Sequence, residues 1–469
     1  MISLHWLEWF PVVLYLLITL LVGMARSQTR FSEEQFILGG RQLTLPAFIM
    51  TLVTTWYGGI LGVGEFTFQY GLTSWVVFGL PYYVFALMFA FLVAEKIQQS
   101  RLLTIPDQFF HHFGNTAGKL ATMVAFLMTL PAPYLLMIGF MLHLVTGWSL
   151  TLSIIIGTVL SAIYVLVGGF QAVVRTDKLQ FLLMYGGFLL MVALLVSRFG
   201  GITFLEKHLP PTHLQPMGNI SPWVMFSWFL IALWTFIDPG FYQRCYAART
   251  PATARKGIII SVAFWFVFDV LTTTVGLYAR AVLPEAKPLL AYPLLSHQVL
   301  PPLLSGIFFT ALFATIMSTA DSYTLLGAIT MGHDLLGRLP RWHRVPRVTL
   351  LRMGLLLTTG VSIMLAIALP SVVQIWYVVG SLCIPPLLLP LLTVYFPRFR
   401  LTPPLVVAHL IGAFAIPLIW FSIGWMQSPS IMVIEFPLGI QPMFPGLLFS
   451  VLFHSGYWGY SRIASSINK

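Results

Sequence analysis

Apolar runs long enough to cross a bilayer recur along the whole chain, separated by short polar stretches. A spanning helix needs about 20 apolar residues at a rise of roughly 1.5 Å each. Thirteen segments approach or exceed that length: Leu7–Met24, Leu45–Tyr70, Trp75–Ala94, Leu120–Val145, Leu150–Gly169, Asp177–Val196, Trp223–Tyr242, Gly257–Ala279, Pro302–Met331, Thr349–Leu369, Val372–Phe396, Pro403–Trp425 and Gln441–Tyr460. The ten-residue alternation of a membrane barrel does not occur. The pattern predicts an all-α polytopic membrane protein with thirteen transmembrane helices.

Direction follows from the cations, because cytoplasmic loops collect Lys and Arg. With the N-terminus outside, all of the 25 basic residues fall in inner loops except Arg198, Lys207, Arg280 and Lys287. Twelve or fourteen spans would scramble that separation. The expectation is a multi-pass protein of the inner (plasma) membrane, N-terminus outside and C-terminus cytoplasmic. The net charge of +11 then records topology and attraction to anionic lipid of the bilayer, not a nucleic-acid surface. Charged residues make up only 8% of the chain, against about 25% in soluble domains, which excludes a soluble enzyme or a disordered scaffold. Cys245 and Cys383 are too few for a disulfide framework. Met1 to Phe10 has no Lys or Arg and includes Glu8, so the first segment reads as a retained helix.

Three spans depart from plain helices. The second places Gly58, Gly59, Gly62 and Gly64 around its middle. Broken backbone at membrane depth survives only where its carbonyls find partners, and a sodium ion is one such partner. The same glycines also fit close helix packing, since Gly58 and Gly62 are four apart. Acids inside spans are the second departure, each costing roughly 2.5–3.5 kcal/mol on insertion scales. They are Glu65, Asp177, Asp269 and Asp321, and no Lys or Arg lies near a span centre to pair with them. For Asp177 the alternative is a helix cap made by Thr176-Asp177; for Asp269 and Asp321 it is a protonated, hydrogen-bonded carboxyl. Third, the ninth span sets Thr315, Ser318, Thr319 and Ser322 on one helical face. Hydroxyls and carbonyls are what a hard cation prefers, although each hydroxyl could instead bond back to its own helix. Depth adds weight: Thr54 to Tyr57 lies on the order of 15 Å above the inner end of the second span, and Ser318 on the order of 24 Å below the outer end of the ninth.

Four motifs resemble the sodium:solute symporter family, which includes sodium/sugar, sodium/proline and sodium/pantothenate carriers. They are FILGGRQLTLPAF (Phe36–Phe48), with Gln42 where Ser is usual; VGGFQAVVRTDKLQ (Val167–Gln180); QRCYAART (Gln243–Thr250), with Arg249 for Lys; and ATIMSTADS (Ala314–Ser322). The resemblance implies a leucine-transporter-type core of two inverted five-helix repeats. Residues 1–44 would supply an extra helix, 45–197 the first repeat, 198–222 an outer loop, 223–396 the second repeat and 397–469 two closing helices. It also implies a sodium site made by carbonyls of Thr54, Tyr57 and Thr315 and hydroxyls of Ser318 and Thr319, with Asp177 beside it.

The solute is read from departures. Where sodium/sugar members grip hydroxyls with polar residues, this chain has VVFGLPYYVF, FLIALWTF and VAFWFVFD. Its candidate solute residues are Trp56, Trp234, Trp265, Gln374 and Tyr377, with Trp376 beside them, and aromatic faces attract amines and quaternary ammonium groups by cation–π interaction. Glu65 is the expected counter-charge. The same aromatics also suit interface belts or core packing. The reading is a sodium-coupled importer of a small amine-bearing or zwitterionic solute, not an enzyme, since no intramembrane catalytic grouping converges. Proton coupling through Glu65, Asp269 or Asp321 is one rival. A transporter-like sensor is another, disfavoured because only nine residues follow Tyr460.

Overall fold

The computed structural model describes residues 4–25, 31–218, 220–369, 371–428 and 436–467. Arg26, Arg30 and Lys469 of the charge tally lie outside the described residues, as does the side chain of Arg462. Helices dominate, and among the described residues the one β-bridge joins Leu43 to Ala248. Eleven described helical segments are long and apolar enough to cross a membrane. One of them, Leu150–Phe199, contains the predicted fifth and sixth spans, and a further 25-residue helix, Met443–Ile467, covers the predicted thirteenth.

Caps set where helices begin. Ser32, Thr104, Ser149 and Thr250 each accept a backbone N–H from the first turn, satisfying donors that a helix start leaves free. The 50-residue helix is broken at Gly169, where φ is 53° and ψ −144°. A side chain there would carry a left-handed strain and meet the Phe36 carbonyl oxygen at 2.6 Å. Asp177 therefore lies eight residues inside the second half of this helix and does not cap it. The cap reading fails because Thr176 bonds back to the Ala172 and Val173 carbonyls, within a helix already under way.

The ninth span, helix Pro302–Ile329, is the centre of the bundle. Its most apolar window is 83% buried, against 28% for the first span and for Pro403–Gln427. It packs most extensively against Leu150–Phe199 and also touches the first and second spans. The second span is two helices, Leu45–Trp56 and Ile60–Tyr70, joined by a 3-10 turn at Tyr57–Gly59. Its chain is tightened there, not unwound.

The loop after Phe199 carries the short helix Ile202–His208 and a 3-10 turn at Pro211–Leu214. His213 tucks under the second span with Nε2 donating to the Phe68 carbonyl at 3.1 Å. Burial pushes its imidazole below its ordinary pKa.

Candidate functional site: an ion junction and an aromatic cavity

Three elements meet at a buried polar junction: the first half of the second span, the helix after Gly169 and the ninth span. Asp177 is fully buried. It accepts from Ser318 Oγ at 2.6 Å and from the Thr51 hydroxyl. Thr319 Oγ1 donates to the Thr55 carbonyl at 2.8 Å and faces the Thr54 carbonyl at 3.3 Å. The Thr54 carbonyl also takes the Tyr57 N–H, the tighter bond of the 3-10 turn. Thr315 turns its hydroxyl back to Ala311 at 2.7 Å, and Tyr57 sends its hydroxyl to the Trp265 carbonyl at 2.9 Å. Both hydroxyls are therefore engaged away from Asp177, Ser318 and Thr319.

One cation was missed. The charge pattern assigns Arg244 to an inner loop, yet it is fully buried, 3.9 Å from Asp177. The seventh span ends in a 3-10 turn at Ala232–Ile237, and Asp238 then caps a new helix, Pro239–Ala247, by accepting from Phe241 N at 3.0 Å. That restart turns Arg244 back into the protein. Its Nη2 reaches Ser322 Oγ at 2.7 Å, Thr55 Oγ1 at 2.8 Å and Thr51 Oγ1 at 3.0 Å. Its Nη1 donates to Gln243 Oε1 at 2.9 Å. The expectation that no basic residue pairs with the buried acids is thus corrected for Asp177.

Thr55 belongs to two sites at once. Besides Arg244 it contacts Ser322 at 2.9 Å, and it also lines a cavity of about 130 Å³. The cavity wall carries Trp56, Trp228, Trp234 and Trp376 with Tyr82, Tyr134 and Tyr323. Among its described lining residues the one carboxylate is Asp269, which accepts from the Tyr83 hydroxyl. Just behind the wall, Asp238 Oδ2 takes Tyr323 OH at 2.7 Å and Trp234 Nε1 at 2.8 Å, fixing two of the rings. Trp56 stands edge-on to Tyr82 with ring centres 5.0 Å apart.

The family model for the sodium:solute symporter family matches residues 36–405. The chain belongs to that family. Among relatives of this symporter, a sodium/pantothenate symporter of Haemophilus influenzae is 26% identical over 351 residues, covering 69% of this chain and 71% of its own. High-affinity choline transporter 1 of Caenorhabditis elegans is 22% identical over 402 residues, covering 79% of this chain and 69% of its own. Among solved structures, a Na+-coupled sialic acid symporter in a substrate-bound outward-open state matches with TM-score 0.81 at 15% identity over 97% of both chains. Mhp1, a nucleobase-cation-symport-1 family transporter, matches with TM-score 0.53 at 13% identity over 88% of this chain and 93% of its own. The symporter therefore shares a helical transporter fold with both, and family and relatives alike are carriers, not enzymes.

The anticipated residues of the symporter divide between these places. Thr54, Asp177, Ser318 and Thr319 meet in hydrogen-bonding range at the junction, and Tyr57 and Thr315 adjoin it along their helices. Trp56 and Trp234 line the cavity, whereas Trp265 stands behind Trp56 at 5.4 Å and is 1% exposed. Gln374, Tyr377 and Glu65 do not line it. Tyr377 stacks on Phe436 instead, and Glu65 lies half-buried on the far half of the second span. Asp321 points to another face, where Ser161 and Tyr164 donate to it.

Proposed function

We propose that this symporter carries a small organic cation, an amine or a quaternary ammonium, into the cell together with sodium by alternating access. One observation carries the reading: an aromatic cavity whose described lining residues include one carboxylate, Asp269, shares Thr55 with the buried polar junction around Asp177. Aromatic faces attract a cation by about 0.5–2 kcal/mol each, depending on desolvation. Asp269 supplies the counter-charge in place of Glu65. An anionic solute would meet that carboxylate and, among the described lining residues, no cation. The resemblance to choline transporters supports this class of solute.

Sodium is the coupling ion in this reading, held by carbonyls of Thr54, Tyr57 and Thr315 and hydroxyls of Ser318 and Thr319, with Asp177 alongside. These five positions would offer a hard monovalent cation oxygen donors only, while the Arg244 guanidinium occupies the Thr51 and Thr55 hydroxyls on the other side of Asp177. Binding there would stabilise one arrangement of the second and ninth spans, and the shared Thr55 would pass that preference to the cavity. Thirteen crossings, with the N-terminus outside and two inverted five-helix repeats at 45–197 and 223–396, complete the reading.

Thermal stability and uptake both test it. Sodium chloride should raise the melting temperature of the purified protein saturably, and equal potassium chloride should not. Asp177→Asn and Ser318→Ala should each raise the sodium half-saturation about tenfold, in line with losing a charge-assisted hydrogen bond, while Arg341→Gln leaves it unchanged. Unchanged half-saturation in both mutants would overturn the ion site; uptake that follows a pH gradient and ignores sodium would favour proton coupling. For the solute, labelled choline uptake into proteoliposomes is expected to require inward sodium. Trp234→Ala should raise the choline half-saturation about tenfold with sodium dependence intact, on the scale of one desolvated cation–π contact. Failure of choline, betaine and simple amines either to be transported or to stabilise the protein would overturn the cation class.

A further inference from the structure

The end of the bundle that carries the basic loops holds a second polar cluster, which neither the junction nor the cavity uses. It gathers three distant stretches of chain. Glu33 opens the short helix Glu33–Leu38, and Asp107 lies in the first turn of helix Ile105–Met128. His333 and Asp334 lie in the π-helical turn Thr330–Leu335 that continues the ninth span. One ligand atom each from Asp107, His333 and Asp334 comes within 4.8 Å of the other two.

The bonding around these atoms is incomplete in a particular way. Asp334 is 2% exposed; its Oδ1 accepts from Thr104 Oγ1 at 2.7 Å, and its Oδ2 is buried with no hydrogen-bond partner. A bare buried carboxylate oxygen is costly, so this position calls for a cation. His333 Nε2 donates to Asp107, 3.3 Å from each of its oxygens, while Nδ1 is held by Glu33 Oε1 at 2.6 Å; a metal ion would take the place of the Nε2 proton. A carboxylate on one ring nitrogen is how proteins orient a histidine that binds a metal through the other. A π-turn inserted at this point is itself common at functional sites.

We propose that Asp107, His333 and Asp334 bind one divalent transition-metal ion, with Glu33 orienting the histidine and Arg338 competing for Asp107. Two carboxylates and one imidazole suit Mn2+, Fe2+ or Zn2+, whereas Mg2+ and Ca2+ prefer oxygen alone. The Arg338 guanidinium bonds to Asp107, packs 3.7 Å over the Phe110 ring and is 36% exposed, so it can yield its place by swinging into solvent. A bound ion would tie the segment before the second span, the helix at Asp107 and the end of the ninth span together. Such a tie favours whichever transport state holds these three in contact. The inference is independent of the solute and of the coupling ion.

The test uses the full chain, purified in detergent and stripped with a chelator, then titrated with Mn2+ alone while free Mn2+ is followed by electron paramagnetic resonance. One Mn2+ per chain is expected, displaced by Zn2+ and not by equimolar Mg2+. Asp334→Asn should weaken binding at least tenfold. Arg338→Gln, at a partly exposed position where folding is safe, should tighten it severalfold by removing the competing cation. Should Asp334→Asn fail to fold, judged by size-exclusion elution and circular dichroism, Arg338→Gln decides alone. Absence of stoichiometric binding, or affinity unmoved in Arg338→Gln, overturns the site. So does binding that disappears in His111→Ala/His112→Ala, the histidine pair on the same helix as Asp107.

Discussion

Arg244→Gln is expected to destabilise the folded protein by roughly 3–5 kcal/mol, the cost of removing one partner from a buried ion pair. The guanidinium is fully buried, and it serves Ser322, Thr55, Thr51 and Gln243 as well as Asp177. Glutamine is too short to span those partners and leaves the Asp177 charge without a counter-ion in a site closed to water. Arg244→Lys should restore little, because an ammonium is a point charge and cannot reproduce the planar fork. Asp177→Asn is expected to be milder, since at 3.9 Å it is the most distant of these partners and the guanidinium keeps its hydroxyls. The double variant Asp177→Asn/Arg244→Gln should therefore be more stable than Arg244→Gln alone. A double-mutant cycle on thermal unfolding in detergent reads that coupling directly. Additive losses would mean that the two charges do not hold each other, and that the junction depends on the hydroxyl bonds instead.

Arg244 also marks where sequence reasoning stops. A cation just beyond an apolar run reads as a loop residue, and the charge asymmetry rewards that reading. The available signal was Asp238-Pro239-Gly240, a cap followed by a proline suited to a first helical turn, together with buried acids lacking a partner. The broken second span, the acid at Asp177 and the hydroxyl face at Ser318 and Thr319 were legible because each violates the rule for an ordinary membrane helix. The cavity was only half legible. Trp56 and Trp234 line it, but Tyr82, Tyr134, Trp228 and Tyr323 look in sequence like any aromatic of a membrane core. On the eleventh span Trp376 faces the cavity while Gln374 and Tyr377 do not. At 3.6 residues per turn one position rotates a side chain by about 100°, so neighbours in sequence seldom share a wall.

Gly58→Ala is expected to abolish sodium-stimulated uptake and to lower the melting temperature. A Cβ at Gly58 would fall 2.2 Å from Thr319 Cβ and 2.3 Å from its Oγ1, deep inside contact distance. Thr319 cannot yield by rotating, because the nearest atom is its own Cβ, fixed to the backbone of the buried ninth span. The 3-10 turn must then move away from the ninth span, which separates the Thr319 hydroxyl from the Thr54 and Thr55 carbonyls it now bonds. Overpacking of this kind costs typically about 1–3 kcal/mol, and here the strain falls on the ion junction itself. Two comparisons make the expectation specific. At Gly62 an added Cβ meets the flexible edge of the Trp376 ring at 3.2 Å, so Gly62→Ala should retain sodium stimulation with a smaller loss of stability. Gly186 has nothing within 4 Å of the same position and lies inside a helix, so Gly186→Ala should be neutral or slightly stabilising. Equal damage from all three would assign the effect to membrane insertion or backbone entropy. Damage confined to Gly58→Ala would make the contact between the broken span and the ninth span a requirement for ion coupling, uniting the close-packing and ion-site readings of the same glycine.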